Sequence, residues 1–268
     1  MRHYPLAIIN SVIKCKKITH HLNTEHSSVE FSFLTIILIN IIVLFGSLLQ
    51  GLIGYGVGMF CAPLLFLISP DLVPAPLILI STIITLIMMY RDKGHLQFEQ
   101  VSWAIIGGFF GIILAGLILK VTSKEQFELT FGVLILIAVF ISMLGLTPKV
   151  NKITNVIAGF TSGLMGTITA VGGPPMALLY QHGDIKNIKA NLTAFFLFLN
   201  IIAIITLASI GQITVNTLIT VFSTLPGIVI GLYISTKAHH IVKPHLIRRW
   251  ILALSAVTAI IAIIKALN

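Results

Sequence analysis

The chain reads as a succession of apolar runs separated by short polar breaks. The runs are Phe33–Gln50, Val57–Ile68, Leu72–Tyr90, Val101–Leu119, Phe127–Leu146, Ile153–Met165, Pro175–Gln181, Leu192–Ile210, Val215–Ser235 and Ile247–Leu267. Most approach the roughly 20 residues that a helix needs to cross a hydrocarbon layer. The breaks carry helix-stopping residues, as in Ser69-Pro70-Asp71, Arg91-Asp92-Lys93-Gly94, Thr147-Pro148-Lys149 and His182-Gly183-Asp184. Lipid offers no partner to an open sheet edge, so every run is expected to be a helix. The pattern predicts an all-α, polytopic membrane protein.

Two places interrupt otherwise continuous apolar sequence. One is Gly51-Leu-Ile-Gly54-Tyr-Gly56-Val-Gly58; the other runs from Gly163 and Gly166 through Thr167 and Thr169 to Gly172-Gly173-Pro174-Pro175. Glycine and proline at this density break a helix and free backbone N–H and C=O groups. At membrane depth such backbone is tolerated where it is buried in protein or lines a watery cavity. The two places also match in register. An offset of 112 residues pairs Gly51 with Gly163, Leu52 with Leu164, Gly54 with Gly166 and Pro63 with Pro175, and it pairs Gln50 with Ser162 one position earlier. A looser echo sets Gly94 against Gly211, then Gly111 and Gly116 against Pro226-Gly227 and Gly231. We read an internal duplication, with repeats at 33–146 and 153–267 and an N-terminal extension at 1–32. Five segments per half is an odd number, which inverts the second half relative to the first. Inverted repeats with paired Gly/Pro-broken segments point to a transporter whose site lies at the repeat interface.

Composition agrees with the membrane class: 57% of residues are hydrophobic and 9% charged, against about 25% charged in soluble domains. The net charge of +9 follows from Lys and Arg flanking the segments, with no aromatic-interleaved basic stretch to suggest nucleic acid. Arg91, Lys93, Lys149, Lys152, Lys186, Lys189, Lys237, Lys243, Arg248 and Arg249 fall on one side, and Lys120, Lys124 and Lys265 on the other. The positive-inside rule makes the first group cytoplasmic and both termini extracytoplasmic, in a multi-pass cell (inner) membrane protein. The extension carries Lys14, Lys16, Lys17 and four of the nine histidines but no spanning run, and lacks the cleavage pattern of a signal peptide. Cys15 and Cys61 match no metal or disulfide spacing.

The run Gly159-Phe-Thr-Ser-Gly163-Leu-Met-Gly166 leading to Gly172-Gly173-Pro174-Pro175, followed by Ala194-Phe195-Phe196 and Asn200, resembles the second-repeat pattern of the TauE/SafE-type sulfite exporter family. Gly51 to Pro63 with Leu64-Leu65, and Tyr90-Arg91 with Gly94-His95, resemble the first. The likeness extends over about 33–267. It implies a secondary transporter of small sulfur-containing or organic anions, such as sulfite, thiosulfate or sulfonates, with no cofactor. The residues themselves point the same way. Broken helices present N-terminal amides and the positive end of a dipole to the site, which suits an anion. No Lys or Arg falls inside an expected span, leaving backbone and hydroxyl donors. The candidate substrate-binding set is Gln50, Gly51, Gly54, Gly56, Gly58, Ser162, Gly163, Gly166, Thr167, Thr169, Gly172, Gly173, Pro174 and Asn200. Close helix packing is the competing reading of the glycines, and an internal hydrogen bond that of Asn200.

Ser81 and Thr82 are further candidates, weighed against bonding back to their own helix. Tyr180 reads as an aromatic anchor at the membrane interface. His95 and His182 are the titratable residues nearest span ends, and Arg91 is placed to meet anions on the cytoplasmic face. The partners expected are the small anion and the lipid bilayer; a homo-oligomer is compatible with the sequence. Two rival classes remain, a channel and an intramembrane enzyme. The second would need a base for Ser162, and no histidine lies within a span.

Overall fold

The computed structural model describes residues 32–92, 98–144, 147–181, 185–237 and 244–267. The fold below is that of the compact unit Leu34–Asn268. Most of the N-terminal extension lies outside the described residues, as do His95 and His182. Every regular element among the described residues is helical. They are α1 (Phe33–Ile53), α2 (Val57–Ile68), a 3-10 turn (Pro70–Leu72), α3 (Ala75–Asp92), α4 (Phe98–Val121), α5 (Lys124–Met143), α6 (Lys152–Thr169), α7 (Gly173–Leu179), α8 (Ile185–Ser209), α9 (Val215–Ser223), α10 (Leu225–Lys237) and α11 (Pro244–Leu267).

Five helical stretches are long and apolar enough to cross a membrane: α1, Pro70–Arg91, Val101–Val121, α5 and Asn187–Ser209. The pair α9–α10 makes a sixth if counted as one span. The faces away from the protein are as apolar as the core. In α4, Phe110 and Leu117 are about 60% exposed while Ile112 and Ala115 are fully buried. Helices with no polar side sit in lipid rather than water.

Because lipid is as apolar as leucine, helices associate through close approach of small residues and through polar bonds. The α4–α6 contact shows the first device. A Cβ on Gly107 would fall on the Val156 carbonyl, one on Gly111 on the Phe160 carbonyl, and one on Gly159 on Ala104. The α1–α10 contact repeats it: a Cβ on Gly227 would meet the Asn40 carbonyl, and one on Gly231 the Leu44 carbonyl. Elsewhere aromatic stacking joins α2 to α5, with Phe66 and Phe131 rings 4.1 Å apart, a contact worth about 0.5–1.5 kcal/mol beyond its buried area.

Three sequence expectations are corrected. The run Val215–Ser235, read as one segment, is two helices bent by 42°. Pro226 is the cause, since it lacks the N–H that would continue the ladder. Asn40 of α1 fills the gap that opens: its Nδ2 donates to the Ser223 carbonyl at 2.9 Å and its Oδ1 accepts from Gly227 N–H at 3.1 Å. Those two backbone groups would bond each other in an unbroken helix. Second, α8 starts earlier than the expected Leu192, so Lys189 lies inside a candidate span and is buried, while Arg91 ends another. Third, Tyr180 is no interfacial anchor. It is buried, and its hydroxyl donates to Asn155 Oδ1 at 2.5 Å.

Candidate functional site: two helix breaks around one cavity

Break one separates α1 from α2. Gly54 and Gly56 take φ of +91° and +133°, values that residues with a Cβ rarely adopt. Gln50, buried in the last turns of α1, bridges the break: its Nε2 donates to the Gly54 carbonyl at 3.2 Å, and its Oε1 accepts from Val57 N–H at 3.1 Å. Gln50 thus stands in for the side-chain cap that Gly56 lacks. The first intrahelical bond of this end runs from Phe60 N–H to the Gly56 carbonyl. The Gly58 and Met59 amides of the first turn therefore stay without an intrahelical acceptor.

Break two separates α6 from α7. It turns at Ala170, held in the left-handed region at φ 60°. Thr169 makes that turn locally, donating to the Met165 carbonyl at 2.7 Å and accepting from Val171 N–H at 3.1 Å. Ser162, the partner of Gln50 at the 112-residue offset, donates to the Gly172 carbonyl. The polar pair therefore does not bond across the two halves; each member ties down the break that follows it.

The breaks meet. A Cβ on Gly58 would fall on the Ala170 carbonyl oxygen, and one on Gly173 would press on the Tyr55 ring. Around this crossing lies a cavity of about 50 Å³. One water needs about 10–15 Å³ of such volume, so there is room for about four water-sized groups.

From break one the lining takes Gln50, Gly56 and Gly58, and from break two Ser162, Gly163, Gly166, Thr167, Gly172 and Gly173. Asn200 of α8 and Ser81 of α3 close one side, with Asn200 Nδ2 donating to Ser81 Oγ at 3.1 Å. Four members of the candidate set stand off the lining. Gly51 packs against Ser235 and Leu232, and Gly54 against Lys189. The Thr169 hydroxyl is engaged in its turn, and Pro174 is buried in the first turn of α7. Thr82 bonds back to Ile78 of its own helix at 2.7 Å.

Thr167 differs from every other polar group here. It is 1% exposed and lines the cavity, yet its hydroxyl bonds no described residue. Among the described residues no fully enclosed side-chain nitrogen or oxygen lacks a partner, so the Thr167 oxygen opens on the cavity.

The described lining includes no Lys, Arg, His, Asp or Glu. Two cations touch residues of break one instead. Arg91 donates to the Gly51 carbonyl at 3.2 Å and to Ser235 Oγ at 3.4 Å, at the C-terminal end of α1 where a cation is favoured. The stem of Lys189 lies against Gly54. Arg91 is thus a helix-end clamp in this structure.

Sequence reasoning passed over two residues that satisfy backbone groups left open beside prolines. Pro63 has no N–H to give the Met59 carbonyl one turn back, and Ser255 of α11 supplies the missing donor at 2.8 Å. Asn40 does the corresponding work at Pro226. A polar residue alone in an apolar run was the available signal in both places, as it was for Asn200.

The family model described as Sulfite exporter TauE/SafE matches residues 39–262, a range that contains both breaks and the whole cavity lining. No curated protein and no solved structure matches the chain.

Proposed function

The chain belongs to the sulfite exporter TauE/SafE family of membrane transporters, and from that premise we propose that it carries small sulfur-containing anions through the cavity between its two breaks. Sulfite, thiosulfate and organic sulfonates form the substrate class. The observation that carries this reading is the Thr167 hydroxyl, buried and unbonded among the described residues at a cavity whose lining also takes in Gly58 and Met59, the residues whose amides lack an intrahelical acceptor. The oxygens of a sulfur oxyanion accept from a hydroxyl and from backbone N–H groups alike, whereas a cation could be held by the hydroxyl oxygen but would leave the N–H groups unmet. A helix N-terminus adds a partial positive charge of about half an elementary charge. The cavity's room for about four water-sized groups suits one sulfur with three oxygens.

The transport mechanism follows from the inverted-repeat reading, in which 33–146 and 153–267 rock against each other about a fixed site. The reciprocal glycine contacts support it: α4 of the first half packs on α6 of the second, as α10 of the second packs on α1 of the first. The basic segment ends that include Arg91 and Lys189 face the cytoplasm in this reading, with both termini outside the inner membrane.

The test is uptake of labelled sulfite, thiosulfate and methanesulfonate into liposomes holding the purified chain. Saturation with counterflow is the expected result for a carrier. Uptake that rises linearly with concentration and shows no counterflow would mean a pore. If folded protein moves none of these anions, the substrate class is wrong.

A further inference from the structure

We propose that the cavity accepts singly charged sulfur oxyanions and rejects doubly charged ones, so that the transported form of sulfite is hydrogensulfite. This rests on the carrier reading above and narrows its substrate class.

The donors that open on the cavity are neutral. They are the Thr167 hydroxyl and the Ser81 hydroxyl, which accepts from Asn200 and donates to no described residue, beside lining residues Gly58 and Met59, whose amides lack an intrahelical acceptor. Between them stand apolar walls from Ile78, Ile112, Phe196 and Leu199. Removing an ion from water costs free energy that grows with the square of its charge, and a neutral donor set returns only part of it. One helix N-terminus offers about half an elementary positive charge, enough to offset much of a single negative charge and little of a second.

A dianion would need a cation at the site. Arg91 is held at the Gly51 carbonyl, the Lys189 stem lies against Gly54, Lys120 of α4 and Lys152 of α6 are exposed, and none of the four is on the described lining. Tyr55 is the one titratable group among the described lining residues, and its ring packs beside Gly173. Hydrogensulfite and sulfite interchange near neutrality, so the same total sulfite offers a good substrate in mild acid and a poor one in mild alkali. Methanesulfonate keeps one charge throughout this range and thiosulfate keeps two.

The experiment measures initial uptake into proteoliposomes, above that of protein-free liposomes, from mildly acidic to mildly alkaline pH at clamped membrane potential. Sulfite uptake should fall with rising pH in proportion to the hydrogensulfite fraction, while methanesulfonate uptake stays level. Thiosulfate should be carried at least about a hundredfold more slowly than methanesulfonate and should not compete with it, reflecting the several kcal/mol needed to bury an uncompensated charge. Thiosulfate that competes at the concentration effective for methanesulfonate, or sulfite uptake that is flat or rises with pH, overturns the proposal and leaves the carrier reading intact. A parallel fall of methanesulfonate uptake would place the titrating group on the protein, and overturns it as well. Uptake of none of the three removes the carrier reading and this inference together.

Discussion

Break one and break two occupy matched positions in the sequence but are built differently. Break one is fixed by glycines at φ of +91° and +133° and by the two-ended amide of Gln50, which serves a carbonyl and an N–H at once. Break two turns at an alanine, and Ser162 serves one carbonyl. Break one leads into a 12-residue helix with open first-turn amides, whereas break two follows a helix that delivers a free hydroxyl, Thr167. The two halves share the device that breaks the helix and divide the donors between them. A site at such a crossing can be asymmetric toward its ligand while its scaffold stays nearly symmetric.

The crossing itself is the most sensitive point. Gly58→Leu is expected to prevent folding or abolish transport, because its Cβ falls on the Ala170 carbonyl, and backbone yields far less than a side-chain end. Overpacking of this kind costs about 1–3 kcal/mol or more. The control is Gly166→Ala on the other side of the crossing. Its Cβ would meet only Gly172, at 3.3 Å, and replacing a helical glycine gains up to about 1 kcal/mol. Thermal unfolding in detergent should place Gly58→Leu far below the parent and Gly166→Ala close to it. Equal losses would mean that the crossing is looser than the geometry shows.

The matched polar pair comes next. Gln50→Leu leaves the Gly54 carbonyl and the Val57 N–H without partners, and each orphaned buried group costs about 1–3 kcal/mol. Ser162→Ala orphans one carbonyl and should lower the unfolding temperature by about half as much. A larger loss for Ser162→Ala would reverse the comparison and make break two the structural keystone.

These pairings also show what the sequence could tell. The breaks were legible because glycine and proline change backbone chemistry whatever surrounds them, and the offset of Gly51 and Gly163 exposed their kinship. Six of the ten candidate residues on the cavity lining are glycines of the two breaks, and the other four are the polar residues Gln50, Ser162, Thr167 and Asn200. The division of labour was not legible, because Thr167 and Thr169 are the same residue type two positions apart. Only the turn at Ala170 decides that Thr169 bonds locally while Thr167 opens on the cavity. Asn40 was equally hidden: its role depends on Pro226, 186 residues away in the chain, and on a helix contact that no local pattern specifies. The start of α8 was misplaced because Lys186 and Lys189 look like loop residues until Gly54 is seen packed against the second.

That division sets the third test. Thr167→Val keeps the shape and removes the open donor, so stability should hold while transport affinity falls. A hydrogen bond to a charged ligand contributes about 1.5–3 kcal/mol, or roughly 10- to 100-fold in KM. Thr169→Val should act the other way, lowering the unfolding temperature through loss of the Ala170 turn. If the two variants exchange phenotypes, the anion does not sit against α6 as drawn.

The smallest expected effect isolates backbone conformation from contact. Ala170 holds φ 60°, where a Cβ crowds the following carbonyl at a cost of about 1 kcal/mol. Ala170→Gly removes that Cβ and should raise the unfolding temperature slightly, less whatever flexibility the glycine adds to the unfolded chain. Gly56→Ala is the mirror experiment at break one. Its φ is +133° and its only near neighbour is the Leu49 Cβ at 3.7 Å, so a methyl group has space but the backbone does not suit it. The loss there should be roughly 1–2 kcal/mol. Opposite signs for the two variants would show that each break is held by what surrounds it, with glycine easing the turn in one half and tolerated strain fixing it in the other. A loss for Ala170→Gly as large as that for Gly56→Ala would mean that the alanine methyl is itself a packing group at the crossing, and that the crossing depends on side chains as well as backbone.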